Sequence, residues 1–230
     1  MVGSILLEAE DLFRRTPDGT VLLDRVSLSV RAGERLGIEG PTGAGKSVLL
    51  RALALLDPVG SGAVRHRGEA VGDRDVPHFR AQVAYLHQTP ALLEGSVEEN
   101  LRSPFELAVY RGRSFDRSRV TALLASLGRD ASFLAKQQGD LSGGERQLTA
   151  LVRLLQLEPE LVLLDEPTAA LDPETTARAE DLLTRWVGDG ERAAVWVSHD
   201  PVQTRRLATR RLRVVGGRLA EEVPGEEAGR

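Results

Sequence analysis

The chain has 230 residues, 41% hydrophobic and 28% charged, with a formal net charge of −4 and no cysteine. That length suits one large domain or two small ones with a substantial core. The lack of cysteine excludes disulfides, thiolate metal sites and cysteine nucleophiles, and the negative balance argues against non-specific nucleic-acid binding. Residues 1–10 lack a basic leader pattern, and no window approaches the ~18–20 uninterrupted apolar residues of a membrane helix. No direct membrane insertion is expected, and any membrane role must come through a partner.

In chain order, Leu6–Asp11 and Val21–Val30 read as strands joined across the Thr16-Pro-Asp-Gly19 turn signal, the start of a small antiparallel sheet. Arg35–Glu39 reads as a short buried strand and Ser47–Leu56 as a helix. Between them stand Gly40, Pro41, Thr42, Gly43, Ala44, Gly45, Lys46 and Ser47, which fit the phosphate-cradling pattern G-x-x-x-x-G-K-[ST]. Gly43 and Gly45 let bare amides close on phosphate oxygens, Lys46 brings a point charge to the β- and γ-phosphates, and Ser47 suits Mg²⁺. Val48 follows in the helix's first turn, whose dipole favours an anion. Only Lys46 and Lys136 are lysines in an arginine-rich chain, which suits a compact ammonium in a phosphate pocket.

Ala63–Arg67 and Gln82–Leu86 are further strand candidates, with 57–62 as a loop. From Thr89 to Asp140 the pattern turns to short helical pieces: Val97–Leu101, Phe105–Tyr110, Ser118–Leu127 and Ala131–Ala135. Leu148, Leu151, Val152 and Leu155 recur at helical spacing. Leu161–Leu164 is a buried strand of the parallel-sheet kind, delivering Asp165 and Glu166 to its carboxyl end. Asp165 is placed to hold Mg²⁺ and Glu166 to polarise a water. The bland alternative is a strand ending in a solvated acidic turn. A helix follows over Pro173–Val187, capped by Asp172; Ala193–Val197 and Leu212–Val215 are strands, and 221–230 an acidic tail.

Leu141-Ser-Gly-Gly-Glu-Arg-Gln147 carries two readings at once. Ser142 with Glu145 is a capping box. Gly143 and Gly144, each costing about 1 kcal/mol relative to alanine inside a helix, serve no cap and make a second anion site. The fold class that emerges is α/β: a P-loop NTPase core sheet with an N-terminal antiparallel β-subdomain and an inserted helical subdomain. The division expected is 1–88 and 160–220 for the core, 89–159 for the helical part and 221–230 for the tail, all one domain.

The P-loop, the Leu141–Gln147 signature and the Leu161–Glu166 strand, in this order, resemble the nucleotide-binding subunits of ABC ATPases over nearly the whole chain. Gln88 resembles the Q-loop glutamine, Ala170-Leu-Asp172 the D-loop, and His199 the switch histidine. The resemblance implies ATP and Mg²⁺ as cofactors and ATP hydrolysis in a head-to-tail homodimer. One P-loop would face the partner's Ser142, Gly143 and Gly144; Gln88 would sense Mg²⁺ and γ-phosphate, Asp172 would link the two sites, and His199 would hold Glu166 and the water. It also implies a cytoplasmic subunit, peripheral on the inner face of the cell membrane, that drives an integral membrane permease. Tyr85–Leu101 with Pro104-Phe105 resembles the bacterial iron- or metal-export type.

Two departures are evident. Thr16 falls where the family often places an adenine-stacking ring, with Phe13 out of step, and His87 before Gln88 reads as solvent-exposed filler. A soluble, non-transport ABC ATPase of the cofactor-assembly type is the alternative; a small-molecule kinase shares the P-loop but has no use for Leu141–Gln147.

Overall fold

A computed structural model describes residues 3–188 and 190–221. The first two strands, β1 (Ile5–Arg15) and β2 (Val21–Arg31), pair antiparallel through the 16–20 turn. The next, β3 (Arg35–Glu39), leaves this sheet and leads through the P-loop into α1 (Lys46–Leu53). That helix ends earlier than its apolar run, because Leu55 takes a left-handed φ of 54°. The chain then returns to the first sheet as β4 (Ser61–His66) and the two-residue β5 (Glu69–Ala70), turned by Arg67 and Gly68 at positive φ. The first sheet is thus four-stranded and antiparallel, in the order β2-β1-β4-β5.

A seven-residue helix, α2 (Val76–Gln82), precedes β6 (Val83–Leu86). The helical part contains α3 (Val97–Arg102), α4 (Arg117–Ser126) and α5 (Gly143–Leu155). Phe105–Tyr110, expected as one helical piece, is two short 3₁₀ turns (Ser103–Glu106 and Ala108–Tyr110) parted by extended Leu107 at ψ 141°. Beyond lie β7 (Leu161–Asp165), α6 (Pro173–Val187), β8 (Ala193–Val197), α7 (Pro201–Leu207), β9 (Arg210–Val215) and β10 (Arg218–Glu221). The second sheet runs β10-β9-β3-β8-β7-β6, parallel except for β10. Because β10 still pairs Glu221 with Leu212, the last strand reaches one residue into the expected tail; residues 222–230 lie outside the described residues.

Strand periodicity assigns the two cores. Leu161 and Leu163 of β7, with Ala193, Val195 and Val197 of β8, face a cluster shared with α1 and the antiparallel sheet. The alternate residues Val162, Leu164, Ala194 and Trp196 face a second cluster built by α3, α4, α5 and α6. Both strands are therefore buried on both faces, which is why they read as continuous apolar runs. On α5, Leu148, Leu151, Val152 and Leu155 form the buried stripe, each at most 1% exposed; truncating one to alanine costs about 2–5 kcal/mol.

Candidate functional site

The carboxyl ends of β3, β6, β7 and β8 bring the P-loop, Gln88, Asp165–Glu166 and His199 to one edge of the parallel sheet, where open α/β sheets bind ligands. The P-loop is shaped by its glycines. Gly45 sits at the N-cap of α1 with φ 97°, and a Cβ there would lie 2.8 Å from the Leu22 carbonyl oxygen, so only glycine suits both angle and space. No side chain caps α1, which leaves its first-turn amides, those of Ser47 and Val48 among them, for an external acceptor. The Val48 side chain itself packs on the core. Lys46, 8% exposed, donates to the carbonyls of Gly40 (2.8 Å) and Pro41 (3.0 Å), so the ammonium is held inside the loop. Thr42 and Gly43 are exposed at the loop's crest, and Ala44 packs inward.

Asp165 is 3% exposed and accepts from the Tyr85 hydroxyl at 3.0 Å. Burial, and the Asp165 charge beside it, push the Tyr85 hydroxyl well above the usual tyrosine range, which keeps it a proton donor. A buried carboxylate of this kind calls for a cation. Among the described residues no three His, Cys, Asp or Glu side chains gather as a metal cage. Mg²⁺ takes one or two protein oxygens and fills its shell with water and phosphate; Asp165 and Ser47 are of the right chemistry to hold it.

Glu166 follows at φ 47°, a left-handed angle that costs a non-glycine residue about 1–2 kcal/mol, while its amide donates to Val197 O at 3.0 Å. Its Oε2 accepts from Gln88 Nε2 at 2.9 Å and lies 3.3 Å from His199 Nδ1. Since a carboxylate only accepts, that imidazole nitrogen carries a proton in this contact. Both partners fall on one oxygen, and Oε1 has no bonding partner among the described residues.

Ser142 and Glu145 form the capping box in both directions, at 3.2 Å and 3.0 Å, with Lys136 holding Glu145 at 2.6 Å. Gly144 packs close on the 166–172 segment: a Cβ there would lie 2.8 Å from Ala170 O. Gly143 is open, its nearest neighbour being Ala170 Cβ at 3.9 Å. Asp172 caps α6 through the Thr175 amide (2.9 Å) and hydroxyl (2.7 Å), and the hydroxyl bond foremost holds its carboxyl below the usual range.

One sequence expectation, that for His87, changes. The Thr16 hydroxyl is spent inside its turn, bonding Asp18 and receiving the Thr20 amide at 3.1 Å; the ring in this stretch is half-buried Phe13, beside Gly60. His87 is exposed yet not filler, since its Nδ1 accepts the Thr89 amide at 2.9 Å and its ring stands edge-on to Tyr85. The 87–89 bond turns the chain at Gln88.

Fold and site together define a P-loop ATPase of the α/β class. The family described as "ABC transporter" matches residues 23–169. ABC transporter I family member 17 of Arabidopsis thaliana is 36% identical over 221 residues, covering 96% of this chain and 83% of that protein. FetA of Escherichia coli K12, named a probable iron export ATP-binding protein, is 37% identical over 198 residues, covering 86% of each. The solved dimeric, post-hydrolysis structure of the ATP-binding cassette MJ0796 bound to ADP and Pi superposes with a TM-score of 0.83 at 26% identity, covering 94% of this chain and 98% of that one. The chain belongs to the ABC transporter family as an ATP-binding, ATP-hydrolysing subunit. Among the described residues no helix is long and apolar enough to cross a membrane.

Proposed function

We propose that the chain hydrolyses ATP in a head-to-tail homodimer and so drives a separate integral membrane permease, working at the cytoplasmic face of the membrane. One observation carries the catalytic part: Gln88 and His199 converge on one oxygen of Glu166 and leave the other for a water. ATP and Mg²⁺ supply the scissile phosphoanhydride and the neutralisation of its charge. The residues of this chain do the rest. The P-loop amides and Lys46 seat the phosphates; Ser47, Asp165 and Gln88 hold the metal; Glu166 takes up the water's proton; His199 keeps Glu166 in place and reaches the γ-phosphate.

The second half of the site is Ser142, Gly143 and Gly144 of a second copy, with Asp172 linking the two sites. Support comes from the open face of Gly143 and from the dimeric form of the MJ0796 cassette. Because γ-phosphate touches both halves only when they meet, ATP favours the closed dimer and hydrolysis releases it. The permease contact is assigned to the groove of about 370 Å³ beside Gln88, lined by Leu86, His87, Ala150, Arg153, Leu154 and Leu157. That groove lies between the Q-loop and the helix begun by the signature, so one motion reaches both. For the cargo we propose a metal ion moved outward, a reading supported by the Tyr85–Leu101 segment and the iron-export name of FetA.

Glu166→Gln is expected to leave ATP binding intact, lower hydrolysis by about 10²–10⁴-fold and trap an ATP-dependent dimer on gel filtration. A monomer under saturating ATP removes the dimer. Purification from membranes is expected to bring down a multi-span protein; a soluble scaffold in its place makes the chain a non-transport member of the family. Strains lacking the chain are expected to be sensitive to excess iron or a related metal, and equal growth removes the cargo.

A further inference from the structure

Behind the cluster of Gln88, Glu166 and His199 lies a buried polar network outside every motif named so far. β7 and β8 run in register up to Asp165 and Val197, and the Glu166 amide continues the ladder by one bond. Beyond it the two chains part: 166–172 turns into α6 and 198–200 into α7. Among the described residues, hydrogen bonds that rejoin them behind the cluster come from Gln203 and Arg206 of α7, and Gln203 is the one that reaches Thr168. Its Nε2 donates to Thr168 Oγ1 at 2.9 Å and to Glu180 Oε1 at 2.7 Å. The other Glu180 oxygen accepts from Arg206 Nη2 at 2.5 Å. Glu180 and Gln203 are each 6% exposed. A carboxylate only accepts, so Glu180 fixes which way the Gln203 amide points, and both of its N–H bonds are used.

We propose that Glu180, acting through Gln203, is a positioning residue for hydrolysis: it ties Thr168 to α7 and thereby sets Glu166 against His199. The proposal rests on the roles given above to those two residues. Packing α6 on α7 needs no buried charge, since apolar residues do that at equal or lower cost. What apolar contact does not supply is a directional bond against sliding. Here sliding matters, because Glu166 has a left-handed backbone that its surroundings must hold. The ladder bond to Val197 holds it on one side, and the Thr168–Gln203–Glu180 strut holds it two residues further on.

The test is steady-state ATP hydrolysis by the full chain. Gln203→Glu sets two carboxylates face to face, and Thr168→Val removes the strut's acceptor at a half-buried site while leaving the buried pair intact. Each is expected to lower kcat roughly tenfold, with KM and the ATP dissociation constant held within about twofold. Combining Gln203→Glu with Glu180→Gln restores one donor and one acceptor across the pair and lets the Thr168 hydroxyl donate, so kcat is expected to return to within about threefold of the original. If Gln203→Glu does not fold, Thr168→Val decides alone. An unchanged kcat in Thr168→Val, or a double exchange no better than a folded Gln203→Glu, overturns the strut. Glu166→Gln in the same assay separates the two claims: turnover that survives it removes the catalytic reading, whereas its loss beside an unchanged Thr168→Val removes only the strut.

Discussion

Two helix starts in this chain present backbone amides, and they are built in opposite ways. At α1 the N-cap is Gly45 in a left-handed turn with no side-chain cap, and Lys46 is folded back onto carbonyls of its own loop. At α5 the N-cap is Ser142 in an extended conformation, closed by a reciprocal capping box, and Gly143 opens away from its own chain. On the proposed reading, the first is shaped for a phosphate that this chain itself holds. The second is a finished helix end with an outward face. On the proposed head-to-tail reading, the contrast gives a reason for two phosphate motifs in one chain: they would serve the two sides of ATP molecules shared between copies.

The strongest attempt to break this comparison uses mixing. Lys46→Ala is expected to abolish ATP binding by calorimetry, and Gly143→Val to leave folding and binding intact, since the closest atom that a Cβ there meets beyond its own helix, among the described residues, is Ala170 Cβ at 3.9 Å. Each alone is expected to lower hydrolysis by at least about 100-fold. Mixed, the two variants form heterodimers in which one intact P-loop faces one intact signature, and activity is expected to recover. No recovery on mixing would place both motifs at a site within one chain.

Gly45→Ala probes the α1 side. The added Cβ meets Leu22 O, and the left-handed angle disfavours any L side chain. A stability loss of about 1–3 kcal/mol is expected in urea, along with weaker ATP binding. Gly143→Ala, by contrast, is expected to be neutral or stabilising by up to about 1 kcal/mol, since alanine suits a helix better. Equal effects at the two positions would erase the structural difference between the helix starts.

Asp57 tests how α1 is held. It is bridged by Arg51 of α1 at 2.7 Å and by Arg14 of β1, which lock the helix end to the antiparallel sheet. Burial pushes its carboxyl up, but the bonds and charges of Arg51 and Arg14 outweigh this and leave it lowered. A lowered folded pKa means the stabilisation is present above the unfolded value, near 3.9, and is lost as pH falls through the folded value. Asp57→Asn is therefore expected to cost about 1 kcal/mol at neutral pH and to flatten the decline of stability below about pH 4. Acid denaturation curves of the two proteins, parallel throughout, would show that the bridge adds nothing.

Much of this architecture was legible in the sequence, and for identifiable reasons. Arg35–Glu39, Pro173–Val187 and Ala193–Val197 match their strand or helix to the residue, because their apolar pattern is unbroken and their ends are marked by turn or cap residues. The seven-residue helices α2 and α7 escaped, being too short for periodicity; yet Asp200-Pro201 opens α7 with the same cap pair as Asp172-Pro173, and that signal was available. β10 exists through its pairing with β9, which no local pattern announces. Motif order placed Gln88, Glu166 and His199 in sequence, but their meeting on one oxygen joins residues 78 and 33 positions apart. The strut of Thr168, Gln203 and Glu180 has no spacing signal at all, since three separate segments supply it.

The smallest effect concerns the signature's last residue. Gln147 is 1% exposed, and neither its Oε1 nor its Nε2 has a partner among the described residues. An unpaired buried amide costs about 1–3 kcal/mol, and methionine keeps most of the shape while removing both polar atoms. Gln147→Met is therefore expected to raise stability by up to about 1 kcal/mol. A loss would mean that a buried water bonds the amide in solution. Turnover gives the result its meaning. Lys46 on the α1 side hydrogen-bonds carbonyls of its own chain, whereas the Gln147 amide, one turn into α5, has no partner among the described residues. A variant that is more stable but turns over more slowly would mean that the signature helix carries an unmet polar group whose partner arrives only when two copies close on ATP.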